Sequence, residues 1–273
     1  MSKKAFTLIE VVIALVIMGI FTTMAAVYFS TDYNNQKICA ENLSAIYGAI
    51  IKYQANPANK GEYPPDDVPL TATFPNLSTN TFHCPADTTS STSDSYSQFY
   101  VKRNNYSDMT SFMLGCPRHK KNVAINLFFQ GQIFKQNIAK PKAFGMTLGS
   151  PTSQSVIFAD DSTVSGGTFT IIQSFFIGNG KCYTLLRVDA GNVLNCSVTP
   201  GSKFEVITPA AIAGVGGTRF TVDTTDGTKV TVTEGEVTVT DRPGKEKRIV
   251  NKDNSPYTIA KKNNLSEVND CSQ

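Results

Sequence analysis

Two short segments combine cysteine with histidine, the residue types that bind zinc. The first reads His83-Cys84-Pro85 and the second reads Cys116-Pro117-Arg118-His119. Only the second has the C-x-x-H spacing of zinc ligands. In the first, the two side chains are adjacent, which makes joint ligation by both awkward. The spacing therefore argues against a zinc site, and we expect neither a metal nor a cofactor.

Other residues with catalytic or ligand chemistry are too few to form a site. The acidic pairs Asp66-Asp67 and Asp160-Asp161 supply fewer oxygens than the roughly six to eight that Ca²⁺ takes, so we interpret them as solvated turns. The glycine-rich residues 214–217 lack the following lysine of a phosphate-binding loop and precede a predicted strand. With only two histidines, no Ser-His-Asp or Cys-His arrangement can be built. We therefore expect a protein that is not an enzyme.

The composition is that of a globular protein without a basic nucleic-acid surface. The chain has 273 residues, of which 41% are hydrophobic and 17% charged. This supplies enough apolar material for a core and excludes global disorder. The 25 basic residues nearly balance the 22 acidic ones, so we expect no nucleic-acid partner.

The apolar residues are concentrated at the N-terminus. Lys3 and Lys4 precede a stretch, residues 11–31, that carries no charge. As a helix this stretch is about 32 Å long, one hydrocarbon thickness, and the lysines would stay cytoplasmic. A cleaved secretory signal would be shorter and would not contain Glu10, whose charge is costly in lipid. We therefore predict a single membrane pass at residues 6–29, with the body outside the inner membrane.

The residues around Glu10 are also a recognisable motif. Lys3-Lys4-Ala5-Phe6-Thr7-Leu8-Ile9-Glu10-Val11 resembles the leader of type IV prepilins and type II secretion pseudopilins. The resemblance implies that a prepilin peptidase removes residues 1–5 by cutting between Ala5, where the family usually has glycine, and Phe6. It also implies N-methylation of Phe6. In the family, the residue matching Glu10 pairs with the N-terminal amine of a neighbouring subunit during assembly.

The pattern beyond the membrane segment predicts a long helix packed on a globular head. Cys39, Leu43, Ile46, Ile50 and Tyr53 recur at steps of three and four, which places them on one helical face. Because no proline intervenes before Pro57, we predict one helix over residues 6–56. This architecture resembles that of pilins, in which such a helix lies across a β-sheet. The predicted head covers residues 57–165, with strands at residues 123–129 and 155–159.

The C-terminal third of the chain alternates apolar and polar residues with period two. Alternate valines follow the turn Asp226-Gly227 and again follow the turn Glu234-Gly235. An Asp-Gly pair between alternating runs is a strong hairpin signal, because glycine accepts a positive φ. We predict an all-β meander with one buried face over residues 166–262, followed by a polar tail at residues 263–273.

Several segments of this third carry a second resemblance, to the FecR domain: residues 188–191, 200–206, 208–220, 226–228 and 232–237. The resemblance covers about residues 181–262, and Gly216 stands where the family usually has arginine. In iron-uptake regulators the FecR domain is periplasmic and senses an outer-membrane receptor. The resemblance implies a displayed β module that contacts a protein or a carbohydrate.

The six cysteines are an even number in a body expected to face an oxidising compartment. We expect a disulfide between Cys84 and Cys116, a kind of bridge that pilin heads often carry. Cys182 and Cys196 flank a presumed pair of strands and could close a second bridge. The remaining two cysteines are left unassigned: Cys39 and Cys271.

Together these patterns predict an α+β protein: a long N-terminal helix on a pilin-like β head, followed by an all-β FecR-like domain. The leading interpretation is a structural subunit, a minor one, of a type IV pilus or a type II secretion pseudopilus. Its partners would be other pilin-type subunits, the prepilin peptidase and the inner membrane, with the body in the periplasm or on an extracellular filament. The alternative is a membrane-anchored envelope sensor of the FecR type, which would use the helix only as an anchor.

Overall fold

The computed structural model describes residues 8–88, 94–103, 111–142 and 147–260, without the side chains of residues 25–29. Short 3-10 turns lie at Pro57–Asn59, Thr79–Phe82, Ser97–Phe99 and Lys120–Asn122. The helices are α1 (Leu8–Ala55) and α2 (Leu70–Thr73). The strands are β1 (Phe112–His119), β2 (Val123–Phe128), β3 (Ile133–Asn137), β4 (Pro151–Thr152), β5 (Val156–Ile157), β6 (Thr163–Ser165), β7 (Phe169–Gly178), β8 (Lys181–Arg187), β9 (Val193–Ser197), β10 (Lys203–Ile207), β11 (Ala211–Val215), β12 (Arg219–Asp223), β13 (Thr228–Glu234), β14 (Glu236–Asp241), β15 (Lys247–Asn251) and β16 (Tyr257–Ile259).

Helix α1 confirms the predicted long helix. It continues for 48 residues, about 72 Å, and ends where Asn56 caps the 3-10 turn that begins at Pro57. Its second half is packed: Leu43, Ile46 and Ile50 are fully buried. Within the described residues, no helix combines the length and the apolar character needed to cross a membrane, and the predicted span at residues 6–29 is not confirmed.

The head is a three-stranded antiparallel sheet covered by the second half of α1. The strand order is β1-β2-β3, and β2 confirms the strand expected at residues 123–129. Leu114 of β1 and Leu127 of β2 are fully buried in one cluster with the helical stripe. The apolar face of α1 therefore forms the core of the head together with this sheet.

The C-terminal body is a sandwich of two sheets. A seven-stranded sheet has the order β15-β14-β11-β10-β8-β7-β4, and a six-stranded sheet has the order β16-β13-β12-β9-β6-β5. All named pairings are antiparallel except that of β8 with β10. The alternate apolar residues of both sheets form one core between them, to which Val222, Val230 and Val239 contribute.

The expected single meander is wrong, because the chain changes sheets at one of its two predicted turns. Asp226-Gly227 does join β12 to β13 as a hairpin. Gly235, however, connects β13 of the six-stranded sheet to β14 of the seven-stranded sheet. Its φ is +83°, and a Cβ at this position would lie 3.1 Å from the carbonyl oxygen of Gly217. Glycine is therefore needed where the backbone crosses between the sheets.

The sandwich also includes strands that precede residue 166. The strand expected at residues 155–159 is present only as the two-residue β5, which pairs with β6. β6 in turn pairs with β9, and β4 pairs with β7. Residues 151–165 thus contribute strands to the same two sheets as the rest of the C-terminal body.

One face of the seven-stranded sheet packs on the six-stranded sheet, and its opposite face packs on the head. This contact buries a third apolar cluster, in which Phe112 and Phe128 of the head meet Phe175 and Tyr183 of the sandwich. The rings of Phe128 and Phe175 are edge to face, with centroids 6.2 Å apart. Head and sandwich therefore share a core.

Candidate functional sites

The first half of α1 exposes apolar side chains on every side. Leu8 is 84% exposed and Phe21 is 67% exposed. The consecutive residues Val11, Val12 and Ile13 each keep about half of their surface accessible, so the exposure is not confined to one face. An apolar surface that surrounds a helix is stable only when lipid or protein covers it.

Two threonines within this apolar half bond their hydroxyl groups to carbonyl oxygens of the same helix. Thr22 donates its hydroxyl to the carbonyl oxygen of Met18 at 3.0 Å, and Thr23 donates to that of Gly19 at 3.1 Å. Such back-bonding satisfies the hydroxyl donor without water. The segment is therefore suited to an environment that supplies no hydrogen-bond partners.

The predicted assembly and processing residues lie at the start of this helix. Glu10 stands in the first turn of α1 as described, where a carboxylate interacts favourably with the helix dipole. Ala5 and Phe6 lie outside the described residues. Cleavage between them, methylation of Phe6 and pairing through Glu10 stay predictions.

The structure brings three cysteines and one histidine together inside the head. The sulfur atoms of Cys39, Cys84 and Cys116 and a ring nitrogen of His119 all lie within 4.8 Å of one another. All four side chains are buried. We call these four residues the cysteine–histidine cluster.

Each member of the cluster is positioned by a different part of the head. Cys39 is the first buried apolar residue of the α1 stripe. Cys116 and His119 lie on β1, where an irregularity in the pairing with β2 falls between them. The C-x-x-H spacing on a regular strand would direct the two side chains to opposite faces, so this irregularity lets both reach the cluster.

Cys84 is held by a polar network in the loop after the 3-10 turn Thr79–Phe82. Its backbone N–H donates to Ser95 Oγ at 3.1 Å, and Ser95 Oγ donates to Asp87 Oδ2 at 2.7 Å. Arg118, between two members of the cluster, pairs with the same carboxylate at 3.0 Å. The loop and β1 are thereby fixed relative to each other beside the sulfur atoms.

The cluster favours a negative charge on one sulfur. Hydrogen bonds donated by the thiols of Cys116 and Cys39, together with His119, lower the pKa of Cys84 well below that of a free thiol. Burial raises the pKa of Cys116. Tyr96 donates its hydroxyl to Cys39 Sγ at 3.4 Å, so a tyrosine outside the cluster also supports a sulfur atom.

Neither predicted disulfide is present among the described cysteines, all of which are free thiols. Cys84 and Cys116 share their position with a third thiol and an imidazole, which a two-residue pairing does not account for. Cys182 on β8 and Cys196 on β9 belong to different sheets, so they do not flank one strand pair. Burial raises the pKa of Cys182 to about 12, which makes this thiol unreactive.

The sequence analysis considers both histidines and misses one cysteine. His119 belongs to the cluster and His83 does not, although His83 is next to Cys84. Cys39 enters the sequence analysis only as part of the packed stripe of the helix and as a cysteine without an assigned partner. The signal that could have found it is that the stripe faces the sheet that carries the C-x-x-H segment.

Side chains of both acidic pairs interact with neighbouring protein groups. Asp66 pairs with Arg242 and lies 3.9 Å from Arg187. Asp160 accepts the backbone N–H of Ser162 at 3.1 Å in the turn before β6, and Asp161 pairs with Lys142. Both pairs thus have protein partners, although the expected solvation does not hold for Asp160, which is buried.

Comparison with known proteins finds matches for two segments of the chain. Residues 1–26 match the family model described as the prokaryotic N-terminal methylation motif. Residues 146–238 match the family model of the FecR protein. The chain thus carries a pilin-type methylation motif and a FecR domain, as both resemblances predicted, and the FecR match both begins and ends earlier than the expected range, about residues 181–262. The motif indicates an envelope-associated protein.

Comparison with whole proteins adds little. No curated protein matches the chain. Two crystal structures of a "putative anti-sigma factor from Parabacteroides distasonis ATCC 8503" share 20% sequence identity with it, at a TM-score of 0.30. The match covers 37% of this chain and about half, 51%, of the other. A similarity at this level supports no structural or functional argument.

Proposed function

We propose that this protein is a structural subunit, a minor one, of a type IV pilus or a type II secretion pseudopilus. The observation that carries the proposal is the first half of α1, which presents apolar side chains on every side and lies largely within the matched prokaryotic methylation motif. A filament packed from such helices would cover this surface. In this proposal the protein has a mechanical and adhesive role, and no residue has a catalytic one.

Assembly would depend on a charge pair that forms between subunits. A prepilin peptidase would cut between Ala5 and Phe6, and the new amine of Phe6 would be methylated. Before assembly, the helix would hold the protein in the inner membrane as a single pass, with Lys3 and Lys4 cytoplasmic. Glu10 of one subunit and the amine of the next attract strongly in a low-dielectric layer, and their pairing offsets the cost of burying each charge.

The C-terminal sandwich would be displayed on the outside of the filament. It adds a second body to the pilin-like head, and this bulk favours a minor or tip-located subunit over a densely packed major one. The FecR match suggests that the sandwich contacts a protein or a carbohydrate.

The test is a Glu10→Ala variant expressed beside wild-type partner subunits. We expect loss of the variant from the sheared filament fraction, while its membrane level stays unchanged. Glu41→Ala is the matched control, because Glu41 is an exposed acid on the same helix outside the apolar half. If Glu10→Ala enters filaments as well as wild type does, the role assigned to Glu10 is wrong.

The second candidate is a membrane-anchored envelope sensor, which the FecR match at residues 146–238 favours. It would keep Met1 and would work without polymerising. Mass spectrometry of the protein purified from membranes separates the two candidates. An N-methylated Phe6 terminus supports the pilin-type subunit, and an intact Met1 supports the sensor.

A further inference from the structure

We propose that the cysteine–histidine cluster is a structural metal site that binds one divalent ion, Zn²⁺, between α1 and the head. The donor set of three thiolates and one imidazole is one of the common sets of structural zinc sites. Four protein ligands complete a tetrahedron and leave no position for water or substrate. The chemistry therefore indicates a stabilising ion rather than a catalytic one.

The distances in the cluster suit a tetrahedral ion. With Zn–S bonds of about 2.3 Å and a Zn–N bond of about 2.0 Å, tetrahedral ligands lie roughly 3.6–3.8 Å apart. Cys84 Sγ and His119 Nε2 are 3.8 Å apart, and no pair of ligand atoms exceeds 4.8 Å. Shifts of about 1 Å or less would bring all four atoms into coordination.

A disulfide explains the cluster less well than an ion does. It would join two sulfurs at about 2.05 Å and leave the third thiol and the imidazole without a role. His119 is buried, and its Nε2 lies 3.8 Å from Cys84 Sγ. One ion would give this nitrogen and all three sulfur atoms a common partner.

The surroundings of the cluster also match those of metal sites. Three thiolates and a divalent ion leave one negative charge, and such sites use outer hydrogen bonds to support it. Tyr96 donates to Cys39 Sγ, and the backbone of Cys84 is fixed through Ser95. Arg118, which lies between Cys116 and His119 in the sequence, pairs with Asp87, and the Asp87 carboxylate also accepts from Ser95, so β1 is held against the loop at Cys84.

Metal binding would fasten the long helix to the globular head. The ligands come from three segments that are distant in sequence: α1, the loop at Cys84, and β1. An ion that binds only the folded arrangement stabilises it by mass action. This role is independent of the proposed function, because it concerns the stability of one subunit and not its assembly.

The test is metal analysis of the full-length protein, purified in detergent without reductant or chelator. We expect about one zinc per chain by plasma mass spectrometry, and less than about a tenth of that in Cys84→Ser and Cys116→Ser. Cys196→Ser is the matched control and should keep its zinc, because Cys196 is a buried thiol of the sandwich core. Wild type without bound metal, or with Cys84 and Cys116 joined in a disulfide by peptide mapping, would overturn the proposal.

Two further measurements distinguish the loss of a metal ligand from a failure of the variant to fold. His119→Cys should retain metal, because four cysteines also form a zinc site, whereas His119→Ala should lose it. Wild-type protein exchanged with Co²⁺ should show thiolate-to-cobalt charge-transfer absorption and the visible bands of tetrahedral cobalt. Equal metal content in both His119 variants, or no cobalt spectrum in wild type, would contradict ligation by this cluster.

Discussion

Arg103 of the head and Glu205 of the sandwich form a buried ion pair across the contact between the two bodies. Arg103 Nη1 donates to Glu205 Oε1 at 3.2 Å, and the side chains are 2% and 7% exposed. Tyr183 donates its hydroxyl to Glu205 Oε2 at 2.7 Å, and the ammonium of Lys203 lies 4.6 Å from the centre of the tyrosine ring. The charge of Glu205 is thus satisfied by residues of both bodies, so the head and the sandwich depend on each other.

Removing one partner of this pair should strongly destabilise the protein. In Arg103→Met, Glu205 would remain buried without its counter-ion, a change that typically costs about 3–5 kcal/mol. The measurement is the free energy of unfolding of the full chain in detergent, followed through tyrosine signals because the chain has no tryptophan.

The matched control for that variant is an exposed pair. Lys37 and Glu41 are 3.9 Å apart on α1, and both are about two-thirds exposed. Glu41→Gln should change the unfolding free energy by less than about 0.5 kcal/mol, since exposed pairs contribute little. An Arg103→Met variant as stable as Glu41→Gln would show that the buried pair does not hold the two bodies together.

The same pair should make the protein sensitive to acid. Burial alone would raise the pKa of Glu205, but the Arg103 guanidinium, together with Lys203 and the Tyr183 hydroxyl, holds the pKa below its usual 4.5. Because the folded pKa is the lower one, the pair's contribution is fully present above pH 4.5. It is lost as the pH falls from there through the folded pKa. Unfolding free energy measured across this window should therefore decrease with decreasing pH.

Glu205→Gln separates this effect from general acid destabilisation. The variant has no carboxyl to titrate at this position, so its stability should fall less steeply below pH 4.5 than that of wild type. Hydrogen bonds from Thr225 lower the pKa of Asp223, which titrates in both proteins. Its contribution to the pH dependence of the unfolding free energy therefore cancels when the two proteins are compared. Parallel pH profiles for wild type and Glu205→Gln would refute the assignment.

The long helix and the sandwich strands could be predicted because their signals are local. The α1 stripe repeats with helical period and ends at a proline, and the valines of the sandwich alternate around glycine turns. Each of these patterns is decided by neighbours within a few residues. The crossing at Gly235 could not be predicted, since a glycine turn looks alike whether it joins strands of one sheet or of two.

The cysteine–histidine cluster could be predicted only in part. The segment from Cys116 to His119 has the spacing of metal ligands, but its partners come from a helix and a loop far away in sequence. The bulge on β1 that turns both side chains the same way has no clear sequence signature. Arg103 and Glu205 are likewise ordinary charged residues in the sequence, and only the packing of the two bodies makes them a pair.

Two glycines of the head should respond in opposite directions to the same substitution. A Cβ at Gly48 on α1 would meet no atom within 4 Å, so Gly48→Ala should stabilise the helix by about 0.5–1 kcal/mol.

A Cβ at Gly115 on β1 would lie 2.8 Å from Phe112 Cε2 and closer still to Asn126 Oδ1. Asn126 cannot easily move away, because it donates to Gln136 at 2.8 Å and accepts from Gln173 at 3.0 Å. Gly115→Ala should therefore cost about 1–3 kcal/mol of unfolding free energy. Thermal unfolding of both variants checks the pair, and a Gly115→Ala protein as stable as wild type would mean that β1 and β2 are not packed as described.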